Sequence, residues 1–282
     1  MEKITFCIPT AKNEKEYIKL LLKSLENNTN INNHEVLVFI DSDNQNTYEM
    51  LLDLKKTFKN LKIYNNQNKY PIGGQRNISV MFNAANNDIV CYLQSDMVVG
   101  PDFDKHILKH IELDNVLSCA RIEPPLHPES PEKIVKDFGI TPEDFKYNDF
   151  INFVKKVQKE NRHVIDGHFA PFAVYKKTWF EKLGGFDTQF RCSREDSDMI
   201  IRLKANKLKT IQTWDACVYH FTCVSSRGVD WFKKDPKAEY KNQLQSLADQ
   251  QELKRFIRKW GYFGHDVQPV YNTSLVLDID QF

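Results

Sequence analysis

Short apolar runs alternate with amphipathic stretches through the first 120 residues of the chain. Lys3–Ile8 reads as a strand that stops at Pro9, and Glu35–Ile40, Leu61–Tyr64, Asp88–Leu93 and Val116–Ala120 read as four more. Between them, Asn13–Glu26 spaces Tyr17, Ile18, Leu21, Leu22 and Leu25 at helical intervals, with Asn13 placed as an N-cap. Thr47–Phe58, Gly74–Ala85 and Asp102–Leu113 read as further helices. Strands that are apolar throughout and alternate with helices specify an α/β fold with a mainly parallel sheet, covered on both faces. Ligands of such sheets bind beyond the carboxyl ends of the strands. That rule alone selects Pro9–Glu14, Asp41–Asn46 and Gln94–Met97 as loops facing a site.

The alternation then breaks. Glu123–Arg162 carries Pro124, Pro125, Pro128, Pro131 and Pro142 and many charges, and reads as an insertion with one or two helices able to cover a site. Order returns with a strand at Phe169–Tyr175, helices at Lys176–Leu183 and Arg194–Lys204, and strands at Lys209–Thr213 and Cys217–Phe221. Pro236–Lys259 reads as a long C-terminal helix, and the tail Val267–Phe282 has no clear period.

Composition narrows the function classes. With 41% hydrophobic and 27% charged residues, the 282-residue chain can bury an ordinary core. Thirty-nine basic residues offset thirty-eight acidic ones, so no net field favours nucleic acid or an anionic membrane. The six cysteines form no CxxC pair and sit largely in apolar runs, which implies reduced thiols and a cytoplasmic setting. Ile4–Ile8 is too short and wrongly flanked for a signal peptide, and no apolar run approaches the roughly 18–20 residues of a membrane span.

Several polar groups stand where chemistry is expected. The strand Ile89–Leu93 delivers Gln94, Ser95 and Asp96 to the carboxyl edge; Asp96 there either holds Mg²⁺ or Mn²⁺ or simply ends the strand. Asp41 and Asp43 follow another apolar strand, and either contact a base or ribose or form an Asx-type turn. Gly73-Gly74-Gln75-Arg76-Asn77 opens a helix whose N-terminus and Arg76 suit an anion, although the same residues make an ordinary glycine loop. Ser193-Arg194-Glu195-Asp196 resembles a capping box and also places a carboxylate that can act as general base. His220 ends a strand, as a core histidine or as a partner to a metal at Asp96. Asp166-Gly167-His168-Phe169 either lines an acceptor pocket or turns the chain.

The order of these pieces carries more than any one of them. Ile8–Glu14, Val36–Asp41, Gly74–Asn77, Gln94-Ser95-Asp96, Leu183-Gly184-Gly185-Phe186-Asp187, Glu195-Asp196 and His220 follow one another in a succession that resembles glycosyltransferase family 2. The resemblance covers residues 3 to 222, and the Gly-Gly-Phe-Asp block followed by Glu-Asp is its most specific part. It implies a GT-A fold and an inverting transfer of one sugar from a nucleoside-diphosphate sugar, typically a UDP-sugar, with Mn²⁺ or Mg²⁺. Pro9, Thr10 and Glu14 would border the nucleotide, Asp41 and Asp43 its base or ribose, and Arg76 the base and phosphates. Gln94 and Ser95 would lie beside the ribose, Asp96 would hold the metal, and His220 the metal or a phosphate. Asp196 would be the catalytic base, with Glu195 beside it. The domain would divide into a nucleotide-sugar-binding half over residues 1–120, an insertion and acceptor half over 121–226, and a helical extension with a tail over 227–282.

Two positions depart from the family pattern: Gln94 replaces the first acid of the Asp-X-Asp motif, and Ser42 replaces the second acid after the second strand. Processive members carry membrane helices and a Gln-X-X-Arg-Trp motif; the sequence has neither, so a non-processive enzyme is expected, with a glycan, a lipid-linked group or a protein as acceptor. A sugar nucleotidylyltransferase would need a glycine-rich loop after the first strand, where Pro9–Glu14 has no glycine. A nucleotide-sugar-binding module without catalysis is the remaining alternative, and Gln94 and Ser42 are its support.

Overall fold

The computed structural model describes residues 2–66, 73–112, 115–126, 133–165, 173–190, 194–222, 224 and 247–261. Ser193, the Asp166–Phe169 segment, Cys192, Cys223, the first part of the C-terminal helix and the tail lie outside them. The first half is built from β1 (Ile4–Thr10), α1 (Lys15–Asn28), β2 (Glu35–Ile40), α2 (Thr47–Lys55), β3 (Leu61–Asn65), α3 (Gly74–Ala84) and β4 (Ile89–Tyr92). The second half follows with β5 (Met97–Val99), α4 (Phe103–His110), β6 (Asn115–Glu123), β7 (Lys133–Val135), α5 (Tyr147–Gln158) and β8 (His163–Ile165). It closes with β9 (Ala173–Lys176), α6 (Lys177–Lys182), α7 (Glu195–Ala205), β10 (Lys209–His220) and α8 (Leu247–Trp260).

All the strands join one sheet, in the order β3-β2-β1-β4-β9-β6-β10-β5, with β7 on β6 and β8 on β10. The expected parallel register holds across β3, β2, β1 and β4. Beyond β4 the sheet becomes mixed: β9 runs antiparallel to both β4 and β6, while β6 and β10 are again parallel. β2 is buried at every position, as a strand covered on both faces must be. α1 presents Ile18, Leu21, Leu22 and Leu25 to that core.

Three sequence expectations change. Asn13 does not cap α1; it sits at φ 66° and its N–H bonds Asn44 Oδ1 instead, because the β1–α1 loop is tied to the β2–α2 loop. Lys209–Thr213 and Cys217–Phe221 are one strand, β10, whose register shifts between Thr213 and Cys217. A bulge accommodates Trp214, Asp215 and Ala216, so the interruption in the pattern does not end the strand. Met97–Val99 forms a three-residue strand antiparallel to the end of β10. The described part of the insertion packs against the ends of β6 and β10. Phe138, Phe150, Val154 and Val157 pack with Ile122, Tyr219 and Phe221 as a second core, and the Tyr219 hydroxyl donates to the Gly139 carbonyl at 2.7 Å.

α8 docks on α7. Phe256 and Trp260 pack with Phe190 and Ile201, Trp260 Nε1 donates to Asp198 Oδ1 at 2.9 Å, and Lys259 bridges Asp187 and Asp198. Arg202, one turn on from Asp198, donates to the carbonyls of Leu183 and Gly185. The Gly-Gly-Phe-Asp block is therefore fastened to the helix that carries Glu195 and Asp196.

Candidate active site

The carboxyl edges of β1, β2 and β4 meet, and the loops leaving them are cross-linked by carboxylates. Glu14 Oε2 accepts from Thr10 Oγ1 at 3.2 Å, from the Ala11 N–H at 2.8 Å and from Ser95 Oγ at 2.7 Å. It thus ties the loop after β1 to the one after β4. Burial pushes its carboxyl above the ordinary range; the three hydrogen bonds pull the other way, and the Asp96 charge adds to the rise. Pro9 is half-buried in β1 just before these groups.

Asp41 does the same work one strand over. Its Oδ2 accepts from the Gly73 N–H at 3.0 Å and its Oδ1 from Asn66 Nδ2 at 3.1 Å, joining the ends of β2 and β3 to the start of α3. Gly73 has φ +95°, a conformation that disfavours any side chain. Arg76 is exposed on the first turn of α3. Asp43 has both oxygens engaged by its own loop, from the N–H groups of Gln45 and Tyr48. Burial opposes its ionisation, but those bonds and Thr47 outweigh it and hold the carboxyl below its usual value. Its geometry is that of a turn at the start of α2.

Asp96 is 8% exposed, and its carbonyl accepts from the Phe221 N–H at 3.0 Å. This bond and the pairing of β5 with β10 bring His220 beside it: Asp96 Oδ2 and His220 Nε2 are 3.6 Å apart. His220 Nδ1 lies 2.9 Å from Glu123 Oε1. Glu123 is itself paired with Arg121 and Lys133, at 3.2 and 2.8 Å. Burial would raise its carboxyl, but Arg121, His220 and Lys133 together hold it well below the ordinary range. An ionised Glu123 accepts only, so His220 donates from Nδ1, and in the neutral ring Nε2 keeps its lone pair toward Asp96. A carboxylate behind a histidine is the arrangement that orients metal-binding imidazoles.

Glu195 and Asp196 lie in the first turn of α7, after Arg194, which is 2% exposed at φ 68° and makes no side-chain cap. The Tyr92 phenol feels the Glu195 charge. Burial raises its pKa far above the ordinary tyrosine value; the Glu195 charge is the next cause, the Gln94 side chain hydrogen-bonds it, and Asp96 and Glu14 raise it further. The charges of Glu195, Asp96 and Glu14, on three separate segments, thus all act on the Tyr92 hydroxyl. Asp196 is half-buried, with Oδ1 accepting from the Ser197 N–H at 2.7 Å. Its charge reaches Tyr175, whose phenol is raised first by burial.

The sequence reading missed Tyr92 and Glu123. By pattern alone Tyr92 is one residue of an apolar strand and Glu123 the start of the insertion. β6 in fact runs three residues past Ala120, so the strand-end rule that selected Asp96 applies equally to Glu123.

A carboxylate cluster with a buttressed histidine fits a hard or borderline divalent cation, since oxygen and imidazole donors both suit Mn²⁺. No helix among the described residues is long and apolar enough to cross a membrane. The family model "Glycosyl transferase family 2" matches residues 5–184. Among curated proteins none matches the sequence. Solved structures share the fold. TarS of S. aureus aligns at 16% identity and TM-score 0.53, over 78% of this chain and 60% of its own. The mannosyltransferase PcManGT from Pyrobaculum calidifontis, solved with GDP-Man and Mn²⁺, aligns at 17% and 0.60, over 96% and 68%. GalNAc-T7, solved with UDP, GalNAc and Mn²⁺, aligns at 14% and 0.57, over 91% and 54%. The chain thus spans less than two thirds of TarS and GalNAc-T7.

Proposed function

Since the chain belongs to glycosyl transferase family 2, we propose that it is an inverting enzyme that moves one sugar from a nucleoside-diphosphate sugar, with UDP as the favoured nucleotide, to a hydroxyl acceptor. The observation that carries this reading is the Asp96–His220–Glu123 alignment at the carboxyl edge, with Glu14 bonded to Ser95 next to Asp96. A half-buried Glu14 and a buried Asp96 at one sheet edge are a useful arrangement beneath a metal–diphosphate.

Asp96 and His220 are the residues to hold Mn²⁺ or Mg²⁺, which when bound neutralises diphosphate charge. Pro9, Thr10, Asp41 and Gly73 border the nucleotide, with Gln94 and Ser95 beside the ribose. Arg76, exposed on the first turn of α3, swings to the diphosphate and offsets the charge that grows on it. Asp196 removes the acceptor proton as the acceptor oxygen bonds to the anomeric carbon and the bond to the nucleoside diphosphate breaks. The Ser197 N–H fixes Oδ1 of that carboxylate and leaves Oδ2 for the proton. α8, through Asp198, holds the helix that presents it.

The test is nucleoside-diphosphate release from a panel of UDP- and GDP-sugars in Mn²⁺, comparing wild type with Asp196→Asn and Glu195→Gln. Loss of a general base lowers turnover by about 10²–10⁴, and that loss is expected in Asp196→Asn. If Asp196→Asn turns over normally while Glu195→Gln does not, the base is Glu195. Nucleotide binding with no transfer or hydrolysis in wild type would leave a binding module and overturn the enzyme reading.

A further inference from the structure

A second group of metal-type side chains sits away from the sheet edge, around the bulge in β10. Asp215 occupies that bulge, five residues before His220 on the same strand. His163 begins β8, where it pairs with Thr213. His110 ends α4. One ligand atom from each of His110, His163 and Asp215 lies within 4.8 Å of the others. His110 Nε2 is 2.9 Å from Asp215 Oδ2, and the rings of His110 and His163 are 4.4 Å apart. His106, one helical turn before His110, puts Nδ1 3.8 Å from the same carboxylate oxygen. Histidines at i and i+4 on one helix face are spaced to share a metal.

The second observation is a set of buried polar atoms that the fold leaves idle. Asp215 is 2% exposed, yet its Oδ1 has no hydrogen-bond partner. His163 Nδ1 is also buried and without a partner. The other nitrogen of His163, Nε2, lies 3.2 Å from Asn161 Oδ1. Donation from Nε2 to that amide oxygen leaves the lone pair on the idle Nδ1, which is how a ligating histidine is usually held. A buried carboxylate oxygen and a buried imidazole nitrogen, both unsatisfied and both in residues of one cluster, call for a ligand.

We propose that His110, His163 and Asp215 form a second divalent-metal site, of zinc-binding chemistry, that clips α4 and β8 to the bulge of β10. Two or three imidazoles and one carboxylate are a borderline donor set, softer than the carboxylate-rich sheet edge, and they suit Zn²⁺ better than Mg²⁺. Zinc bonds of about 2.0–2.2 Å draw the donors closer than they now lie. The ion takes the place of the proton between His110 Nε2 and Asp215 Oδ2, and in the neutral ring that proton moves to Nδ1. Lys109 also pairs with Asp215, at 3.0 Å, and competes with the metal; its side chain is 56% exposed and free to leave.

Zn²⁺ is titrated into the chelator-stripped full chain against a chromophoric chelator, with circular dichroism confirming the fold of each variant. One tight equivalent is expected in wild type, retained in Asp96→Asn and lost in His110→Gln/His163→Gln. Lys109→Ala should bind about two- to fivefold tighter, the range an exposed ion pair accounts for. Co²⁺ in place of Zn²⁺ should give the strong visible bands of a four-coordinate site. No Zn²⁺ equivalent in wild type, an equivalent that survives the double variant, or one lost with Asp96→Asn overturns the proposal. If the double variant does not fold, a Lys109→Ala affinity equal to or weaker than wild type, or a pale six-coordinate Co²⁺ spectrum, overturns it equally.

Discussion

Two glutamates, Glu35 buried and Glu14 half-buried, stand at opposite edges of the sheet and are treated in opposite ways. Glu35, at the amino edge, accepts from Lys62 Nζ at 2.6 Å, from the Asn86 N–H and side chain at 2.9 and 2.8 Å, and from Thr5 Oγ1 at 2.8 Å. Burial opposes its ionisation, yet these partners, Lys62 foremost, hold its carboxyl below the ordinary range. Glu14, at the carboxyl edge, accepts only from neutral donors, has Asp96 for a neighbour, and is pushed up. No cation among the described residues pairs with it. The amino edge neutralises its buried glutamate internally; at the carboxyl edge Glu14 and Asp96 are left as neighbouring acids, as on a surface that completes itself with a cation and an anionic ligand.

The sharpest way to break this contrast is to remove Asp96. Asp96→Asn should lower sugar transfer by about 10²–10³, the scale of losing one preorganised electrostatic group, while thermal stability changes little. Glu123→Gln acts one step removed, by releasing the His220 ring. Outer carboxylates of this kind are worth about 10–100-fold in metal affinity or activity, so the Mn²⁺ concentration for half-maximal rate should rise by that order.

At the amino edge the readout changes from rate to stability. Glu35→Gln loses the Lys62 pair and weakens three hydrogen bonds, an expected cost of about 1–3 kcal/mol in urea melts with turnover per folded molecule unchanged. The folded pKa of Glu35 is depressed, so its contribution is complete above the ordinary carboxylate pKa of about 4.3. It is lost as pH falls through the depressed value. The wild type should therefore lose more stability on acidification over that window than Glu35→Gln does. The smallest effect belongs to Glu14→Gln, which keeps an acceptor oxygen but removes the like charge beside Asp96. The ligand-free protein should gain about 1 kcal/mol or less, and a loss of stability would mean that Glu14 is structural like Glu35.

The first half of the molecule was legible because β1, β2 and β4 are unbroken apolar runs, and Glu35–Ile40 has the same bounds in sequence and structure. Their ends pointed to Glu14, Asp41 and Asp96 with no further information than the strand-end rule. The second half was harder for identifiable reasons. β5 has only three residues, too few for any period to show. β10 passes through a bulge, and Trp214-Asp215-Ala216 breaks its alternation. The Glu123–His220 pair joins residues 97 apart, a contact set by the pairing of β6 with β10 and invisible along the chain. The same bulge hid Asp215 from its histidines, although the His106–His110 spacing was open to view.

The central claim is that the carboxyl edge is assembled to be completed by a dication and a nucleoside diphosphate. Calorimetric titration of UDP into wild type and Asp96→Asn, each with and without Mn²⁺, addresses it directly. The account predicts binding that strengthens at least about tenfold with Mn²⁺ in wild type and is indifferent to Mn²⁺ in Asp96→Asn. Equal UDP affinity with and without Mn²⁺ in the wild type, or an undiminished Mn²⁺ effect in Asp96→Asn, would contradict it.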